Sequence, residues 1–244
     1  MAGEKTRADK LLVERGFFET RARAQAAIAA GLVTANGITV RKPSDGLAPD
    51  AAITASAPHP YVSRGGVKLE AGLEAFALSP TGRICLDIGA STGGFTEVLL
   101  GRGALKIYAV DVGHGQLHPS VASDPRVISM EGTDARKLTR EAVPEPVGLV
   151  VADVSFISLR LVLPPVTHLL ADAAALVALV KPQFEAGRAH VAKGIVRDPA
   201  IHTRVCDDIA DFVSGLGFDV LGLIPSPIAG GDGNREFLIG ARRR

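Results

Sequence analysis

Four ionisable residues far apart in the chain, Lys68, Asp153, Lys181 and Glu236, have the types that a proton-coupled transfer reaction needs. Asp153 and Lys181 each end an apolar run, Lys181 just before Pro182, while Glu236 opens a third run. Lys68 lies on an amphipathic stretch from Gly66 to Ala77. Two ammonium groups and two carboxylates on one rim could orient a hydroxyl, assist loss of its proton and hold one another in place. Lys181 could serve as a base if a neighbouring cation lowers its pKa, or as a cation that stabilises a developing alkoxide. Both roles are open at this level. Taken singly, Lys181 reads as a surface residue and Asp153 as a helix cap; the combination carries the argument.

A second constellation surrounds a glycine-rich loop, Asp87-Ile-Gly89-Ala90-Ser91-Thr92-Gly93-Gly94-Phe95, placed between a strand and a helix, where doubly wound sheets bind ligands. Glycine lets a backbone approach a ligand closely. A dinucleotide fingerprint wants glycine where Ser91 stands, and a phosphate loop wants lysine where Phe95 stands. An acid opening the loop, Asp87, repels a pyrophosphate and suits a ligand with an ammonium group, such as S-adenosylmethionine. Asp111, with Val112 beside it, ends the next strand and is placed for both ribose hydroxyls. Asp134, beside Ala135, follows the third strand and could take the adenine amino group.

The elements that must position these residues alternate. Strands are expected at Arg83–Asp87, Lys106–Asp111, Arg126–Met130, Gly148–Val154 and Ala174–Val180, with helices after Gly94, over Leu159–Leu170 and over Pro199–Leu216. That order calls for a parallel sheet covered on both faces. Two last strands, Asp219–Leu223 and Glu236–Ala241, are joined by a Pro- and Gly-rich segment too short for a crossover helix, so the final strand should return antiparallel. An antiparallel strand starts where its parallel neighbours end, which brings Glu236 to the rim of Asp153 and Lys181.

The first 60 residues differ. Residues 1–42 carry eight Lys or Arg against four acids, a charge of +4, whereas the whole chain sums to +1. A basic front on an acidic body suits contact with nucleic acid through one part of the chain. Helices are expected over Thr6–Gly16 and from an N-cap at Thr20 to Gly31, then a hairpin Val33–Val40 around Asn36-Gly37 and a short strand at Ala51–Ala55. The expected division is 1–60 for this module, 61–66 for a linker and 67–244 for the α/β domain. The longest apolar run, Ala173–Val180, is far short of the roughly 20 residues of a membrane-spanning helix. The N-terminus lacks the apolar core of a secretory signal, so a cytoplasmic location is expected. Cys85 and Cys206 are too few for a cysteine-based metal site and are expected to be inert and buried; no metal is expected.

The front module, through Arg7-Ala-Asp-Lys10, Thr20-Arg21-Ala-Arg23-Ala-Gln25 and Gly31-Leu-Val-x-x-Asn36-Gly37, resembles the RNA-binding module named after ribosomal protein S-four. The resemblance implies that Arg7, Lys10, Thr20, Arg21, Arg23, Gln25, Arg41 and Lys42, with Arg64 beyond them, hold structured RNA. In the remainder, no Asn/Asp-Pro-Pro-aromatic string follows the fourth strand and no cysteine lies near the fourth or fifth strand end, which argues against exocyclic-amine and cytosine-carbon methylation. Lys68, Asp153, Lys181 and Glu236 resemble the Lys-Asp-Lys-Glu tetrad of the FtsJ-like 2′-O-methyltransferases. Val62-Ser-Arg-Gly-Gly-Val-Lys68, Gly89-Ala-Ser-Thr-Gly-Gly-Phe-Thr96, Asp153-Val-Ser-Phe-Ile-Ser158, Leu179-Val-Lys-Pro-Gln-Phe-Glu185 and Gly233-Asn-Arg-Glu236 look like the TlyA branch, also called hemolysin A. This resemblance implies a Rossmann-like methyltransferase sheet and S-adenosylmethionine-dependent 2′-O-methylation of cytidine in ribosomal RNA, of the 50S subunit and in some members the 30S.

Two departures bear on that expectation. His114 stands where the family has tyrosine, and Leu117-His-Pro-Ser-Val121 is shorter and less basic than the family pattern. The longer tail of dual-substrate members is not seen, which favours a single large-subunit site. Three other functions compete with that expectation: a membrane-active hemolysin, which needs a long apolar or basic amphipathic segment; a ribosome-binding protein without catalysis, which has no need of the tetrad; and a nicotinamide-dependent oxidoreductase, which Ser91 and Asp87 disfavour.

Overall fold

The computed structural model describes residues 5–57, 59–230 and 233–244. The chain forms two compact units, Met1–Pro60 and Tyr61–Arg244.

The first unit contains β1 (Thr6–Arg7), α1 (Ala8–Glu14), α2 (Arg21–Ala29), β2 (Val33–Ala35), β3 (Ile38–Thr39), β4 (Gly46–Leu47) and β5 (Ile53–Ala55). Thr20 caps α2, its hydroxyl accepting from the Arg23 N–H at 3.3 Å. The β2–β3 hairpin turns on Asn36 and Gly37, at φ 50° and 76°, the positive values that a two-residue turn of this hand requires. β2 lies between β3 and β5, antiparallel to both. The pairing of β1 with β4 was not anticipated, because two-residue strands leave no periodic pattern. Ala8, Leu12, Ala24, Ala27, Ile28 and Val33 close a small core.

The second unit begins earlier than its sequence suggests. Residues 61–66, expected as a linker, belong to it: Val62 is buried in its core, the Val62 N–H donates to Glu97 at 2.6 Å, and α3 (Gly65–Ala75) already starts at Gly65. The remaining elements are β6 (Ile84–Ile88), α4 (Gly94–Gly101), β7 (Lys106–Asp111), α5 (Pro119–Ala122), β8 (Val127–Glu131), β9 (Val147–Ala152), α6 (Leu159–Val166), β10 (Leu170–Val180), α7 (Pro182–Glu185), α8 (Pro199–Gly215), β11 (Phe218–Pro225) and β12 (Phe237–Arg243).

They build a seven-stranded sheet in the order β11-β12-β10-β9-β6-β7-β8. The pairs from β10 through β8 are parallel, and β12 runs antiparallel to both β10 and β11, as the short β11–β12 connection required. One boundary is corrected. The helix expected to reach Leu170 stops at Val166, and β10 begins at Leu170 rather than Ala174, with a register shift before Ala175. Pro164 and Pro165 lie in the last turn of α6, where neither can donate back to the carbonyl four residues earlier, and the chain runs on as a 3-10 turn over Thr167–Leu169 before β10.

Apolar side chains fill both faces of the sheet. One face packs α6 and α8, and the other packs α3 and α4. Cys85 is fully buried in β6, and burial pushes its thiol up to about 12. Cys206 departs from expectation, being half-buried on α8, with its thiol pushed up to about 11 by burial. Among the described residues, no helix is long and apolar enough to cross a membrane.

Candidate active site

The carboxyl ends of the parallel strands carry the acids. Asp111 closes β7, Asp153 follows β9, and Lys181 follows β10. Because Val180 pairs with Phe237 in the antiparallel β10–β12 ladder, Lys181 and Glu236 both lie just beyond the last pair, on the same rim. Lys68 reaches that rim from α3. A Cβ on Gly72 would stand 3.0 Å from the Val177 side chain, so the helix packs directly on β10.

The tetrad forms two ion pairs. Lys68 Nζ lies 2.6 Å from Glu236 Oε2, with the side chains 10% and 3% exposed. Lys181 Nζ lies 2.6 Å from Asp153 Oδ1 and donates to Ser155 Oγ at 2.9 Å. Ser155 thus engages one N–H of Lys181 and Asp153 balances its charge, which leaves N–H capacity for a substrate oxygen. Ser155 is a site residue that the motif alone does not single out; its signal in the sequence is its place two residues after Asp153.

A cavity of about 460 Å³ lies over the ends of the strands, and Asp153 is part of its wall. That volume is within the usual range for a small-molecule site. Of the residues expected to bind a cofactor, Gly89, Ser91, Asp111, Val112, Asp134 and Ala135 line it. Asp111 is tied on both oxygens: Ser91 N–H donates to Oδ2 at 2.8 Å and Gly113 N–H to Oδ1 at 2.7 Å. Each oxygen retains acceptor capacity for a ribose hydroxyl. Asp134, expected to take the adenine amino group, is gripped on both oxygens by Arg136, at 2.9 Å and 2.7 Å, and that guanidinium holds the carboxyl down at about 2.

Asp87, Ala90, Thr92, Gly93, Gly94 and Phe95 are not on the cavity wall. At Gly89 and Gly94 the close approach is to protein rather than ligand. A Cβ on Gly89 (φ 85°) would meet the Asp153 carbonyl oxygen at 2.4 Å, and one on Gly94 would meet Ser63 Oγ at 2.1 Å. Asp87 is fully buried under the loop instead of facing a ligand. Thr96 donates to its Oδ2 at 2.6 Å, and Oδ1 has no hydrogen-bond partner among the described residues.

Burial, reinforced by Asp153 and Asp111, pushes the Asp87 carboxyl up to about 7. An acid whose folded pKa lies above its unfolded value stabilises the fold most at low pH and loses that contribution as pH rises toward the folded value. Relative to Asp87→Asn, the wild-type Tm should therefore decline between about pH 4 and pH 7 and then level off; parallel Tm profiles would refute the burial of a titrating carboxyl here.

Sequence reasoning also missed Phe156. It is 92% exposed, sits at φ 64°, lines the cavity and meets the Phe184 ring at 5.2 Å. A non-glycine residue in the left-handed region costs energy and clusters at functional sites.

In the first unit, the expected RNA contacts Arg7, Arg21 and Gln25 converge on one missed residue, Asp9. Arg7 Nε donates to it at 3.0 Å, Arg21 Nη2 at 2.7 Å and Gln25 Nε2 at 2.8 Å. Asp9 is wholly buried, and these donors, Arg7 foremost, hold its carboxyl well below the usual range. Lys10 pairs with Glu14 at 3.3 Å, and Asp45 accepts the backbone N–H groups of Arg41 and Lys42. Arg23 is half-buried. Arg64, exposed, belongs to the second unit, at the start of α3.

The FtsJ-like methyltransferase model matches residues 61–243. The chain belongs to that family. Its first unit is an S4 domain, matched over residues 6–53, and the protein is accordingly a methyltransferase with an S4 domain in front. The 16S/23S rRNA (cytidine-2'-O)-methyltransferase TlyA of Mycobacterium tuberculosis is 45% identical over 98% of this chain and 90% of its own length. Hemolysin A of Brachyspira hyodysenteriae is 39% identical, covering 95% of this chain and 98% of its own. A solved structure from Streptococcus thermophilus, titled as a hemolysin, shares 44% identity with a TM-score of 0.78, over 98% of this chain and 89% of that one.

Proposed function

We propose that this methyltransferase moves a methyl group from S-adenosylmethionine to the 2′-hydroxyl of a cytidine in ribosomal RNA, in the cytoplasm. The observation that carries the reading is the Lys181–Asp153 ion pair, because Asp153 belongs both to the tetrad and to the cavity wall. The substrate follows the relative named for cytidine-2′-O methylation of 16S and 23S rRNA.

The residues fit the donor. Asp111 would hold the ribose hydroxyls, Val112 and Ala135 would flank the adenine, and the carboxylates Asp111 and Asp153 give the wall a negative field suited to a cation. The donor supplies an electrophilic methyl group. A ribose hydroxyl is a poor nucleophile at neutral pH, so its oxygen must be oriented and its developing charge offset. A free N–H of Lys181 would do both, with Asp153 and Ser155 fixing the ammonium, Lys68–Glu236 completing the rim, and the hydroxyl proton released to water at the open side of the cavity as the methyl–sulfur bond breaks and the methyl–oxygen bond forms. The aromatic face of Phe156 offers a stacking surface for a base, an interaction of about 1–3 kcal/mol.

The S4 unit, residues 1–60, would dock the enzyme on RNA through Arg7, Lys10, Thr20, Arg21, Arg23, Gln25, Arg41 and Lys42, with Arg64 acting from the catalytic unit. Asp9 organises the first of these, so Asp9→Asn should weaken binding to ribosomal subunits several-fold without changing S-adenosylmethionine affinity. Unchanged subunit binding would show that the cluster is only structural.

The test of the reading is transfer from labelled S-adenosylmethionine to undermethylated 50S and 30S subunits, with nucleoside analysis of the product. 2′-O-Methylcytidine from either subunit is expected. No transfer to either, with calorimetry showing cofactor binding, would overturn the substrate assignment.

A further inference from the structure

The segment between Glu185 and Asp198 carries Arg188, His190, Lys193 and Arg197 and no acid. All four side chains are exposed, and none has a hydrogen bond or ion pair among the described residues. Arg136 and Arg126, elsewhere in this unit, are each paired with an acid, Asp134 and Asp124. Here the charge is left open.

The backbone that displays Arg188, Lys193 and Arg197 is built, not slack. Ala192 and Ile195 exchange both N–H···O bonds at 3.0 Å, closing a two-residue turn over Lys193 (φ 51°) and Gly194 (φ 79°). Lysine in that conformation is held against its own preference. What holds it is a buried clamp. Asn234 Nδ2 donates to the Gly194 carbonyl at 3.0 Å, its Oδ1 accepts from the Val196 N–H at 3.4 Å, and His202 Nε2 donates to the Val196 carbonyl at 3.0 Å. Val196, Asn234 and His202 are all buried.

Both ends of the arrangement lead to the tetrad. Asn234 stands two residues before Glu236, and the segment itself leaves α7, which begins directly after Lys181. Between α7 and the turn lies an open cavity of about 330 Å³, lined by Gln183, Phe184, Gly187, Arg188 and Val191. Phe184 there backs the exposed ring of Phe156.

We propose that the turn at residues 188–197 is a second RNA-binding surface, in the catalytic unit itself, which grips the backbone phosphates of the strand flanking the reacting ribose. The inference rests on the RNA methyltransferase reading. Several unpaired cations fixed on a rigid turn beside a reaction rim suit a polyanionic strand; the S4 unit would supply affinity for the particle, and this turn the local placement of the strand. Phosphate neutralisation makes the contact dependent on salt.

The test uses the full chain with Arg188→Gln, Lys193→Gln and Arg197→Gln combined. These side chains are exposed and make no hydrogen bond or ion pair among the described residues, so Tm and S-adenosylmethionine affinity serve as controls and should not change. The KM for undermethylated ribosomal subunits should rise at least tenfold, with kcat at saturation close to wild type. The slope of log KM against log salt concentration should become shallower by about 2, since each lost contact removes about 0.7–0.9. A wild-type KM and salt slope would overturn the proposal and leave the methyltransferase reading intact. A raised KM with an unchanged salt slope would point to a protein partner on the particle and overturn the RNA assignment. Absence of wild-type transfer to either subunit would instead overturn the reading on which it rests.

Discussion

Lys181→Ala should yield a folded protein that binds S-adenosylmethionine and transfers its methyl group about 10²–10⁴ times more slowly, the range expected when a positioned proton-handling or charge-stabilising group is removed. The expectation of a fold left intact comes from the surroundings. Lys181 lies at the end of β10, past the last pair of the ladder, and its partner Asp153 is 20% exposed on a cavity wall where water can replace the lost ammonium. The expectation of lost activity comes from the same geometry: Asp153 pairs with the ammonium at 2.6 Å, Ser155 accepts from it at 2.9 Å, and N–H capacity is left for the nucleophile. Labelled transfer and cofactor calorimetry, run side by side with wild type, measure both halves. A rate within tenfold of wild type would remove Lys181 from the mechanism.

Glu236→Ala should act on stability as well as on rate. Lys68 and Glu236 are the more deeply buried pair, and removing the carboxylate strands an ammonium that is 10% exposed. Breaking a buried pair from one side typically costs about 3–5 kcal/mol, because the remaining charge has neither partner nor water. A large fall in Tm is expected. Replacing both partners with apolar residues of similar size, Lys68→Met with Glu236→Leu, should recover most of that stability, since no charge is then left unpaired. It should not recover methyl transfer. If the double variant is as unstable as the single, the loss belongs to packing around Glu236 rather than to the charge. If it is active, the Lys68–Glu236 pair is not needed for the reaction.

Much of the sheet was legible because buried parallel strands write themselves as apolar runs, such as Val147–Ala152 and Ala174–Val180, and because a short connection forces β12 antiparallel to β11. The hairpin at Asn36-Gly37 was legible for a local reason, the positive φ that this dipeptide accepts. What escaped depended on partners distant in sequence. β1 and β4 are too short to show a period, and α6 ended early at a proline pair inside a stretch that still looked helical. Residues 61–66 have the pattern of a linker, yet Tyr61 and Val62 pack against the core of the second unit.

The candidate site divides in the same way. Residue types and their places at strand ends identified Asp111, Asp153, Lys181 and Glu236, because in a parallel sheet the ends of the strands are fixed by topology. Pairing was not contained in that information: that Lys68 takes Glu236 and Lys181 takes Asp153 was decided by the packing of α3 on β10 and by the β10–β12 register. Asp87 shows the limit most clearly. Its place at the head of a glycine-rich loop suggests a ligand contact, yet the fold buries it beneath the loop against Thr96 and gives the cavity wall to Asp111 and Asp153. Sequence by itself determined the chemistry available and the edge of the sheet where it gathers, because both follow from local pattern and strand order. The direction each side chain takes, and the charge it meets there, were decided only by the tertiary structure, because they depend on distances between segments up to 168 residues apart.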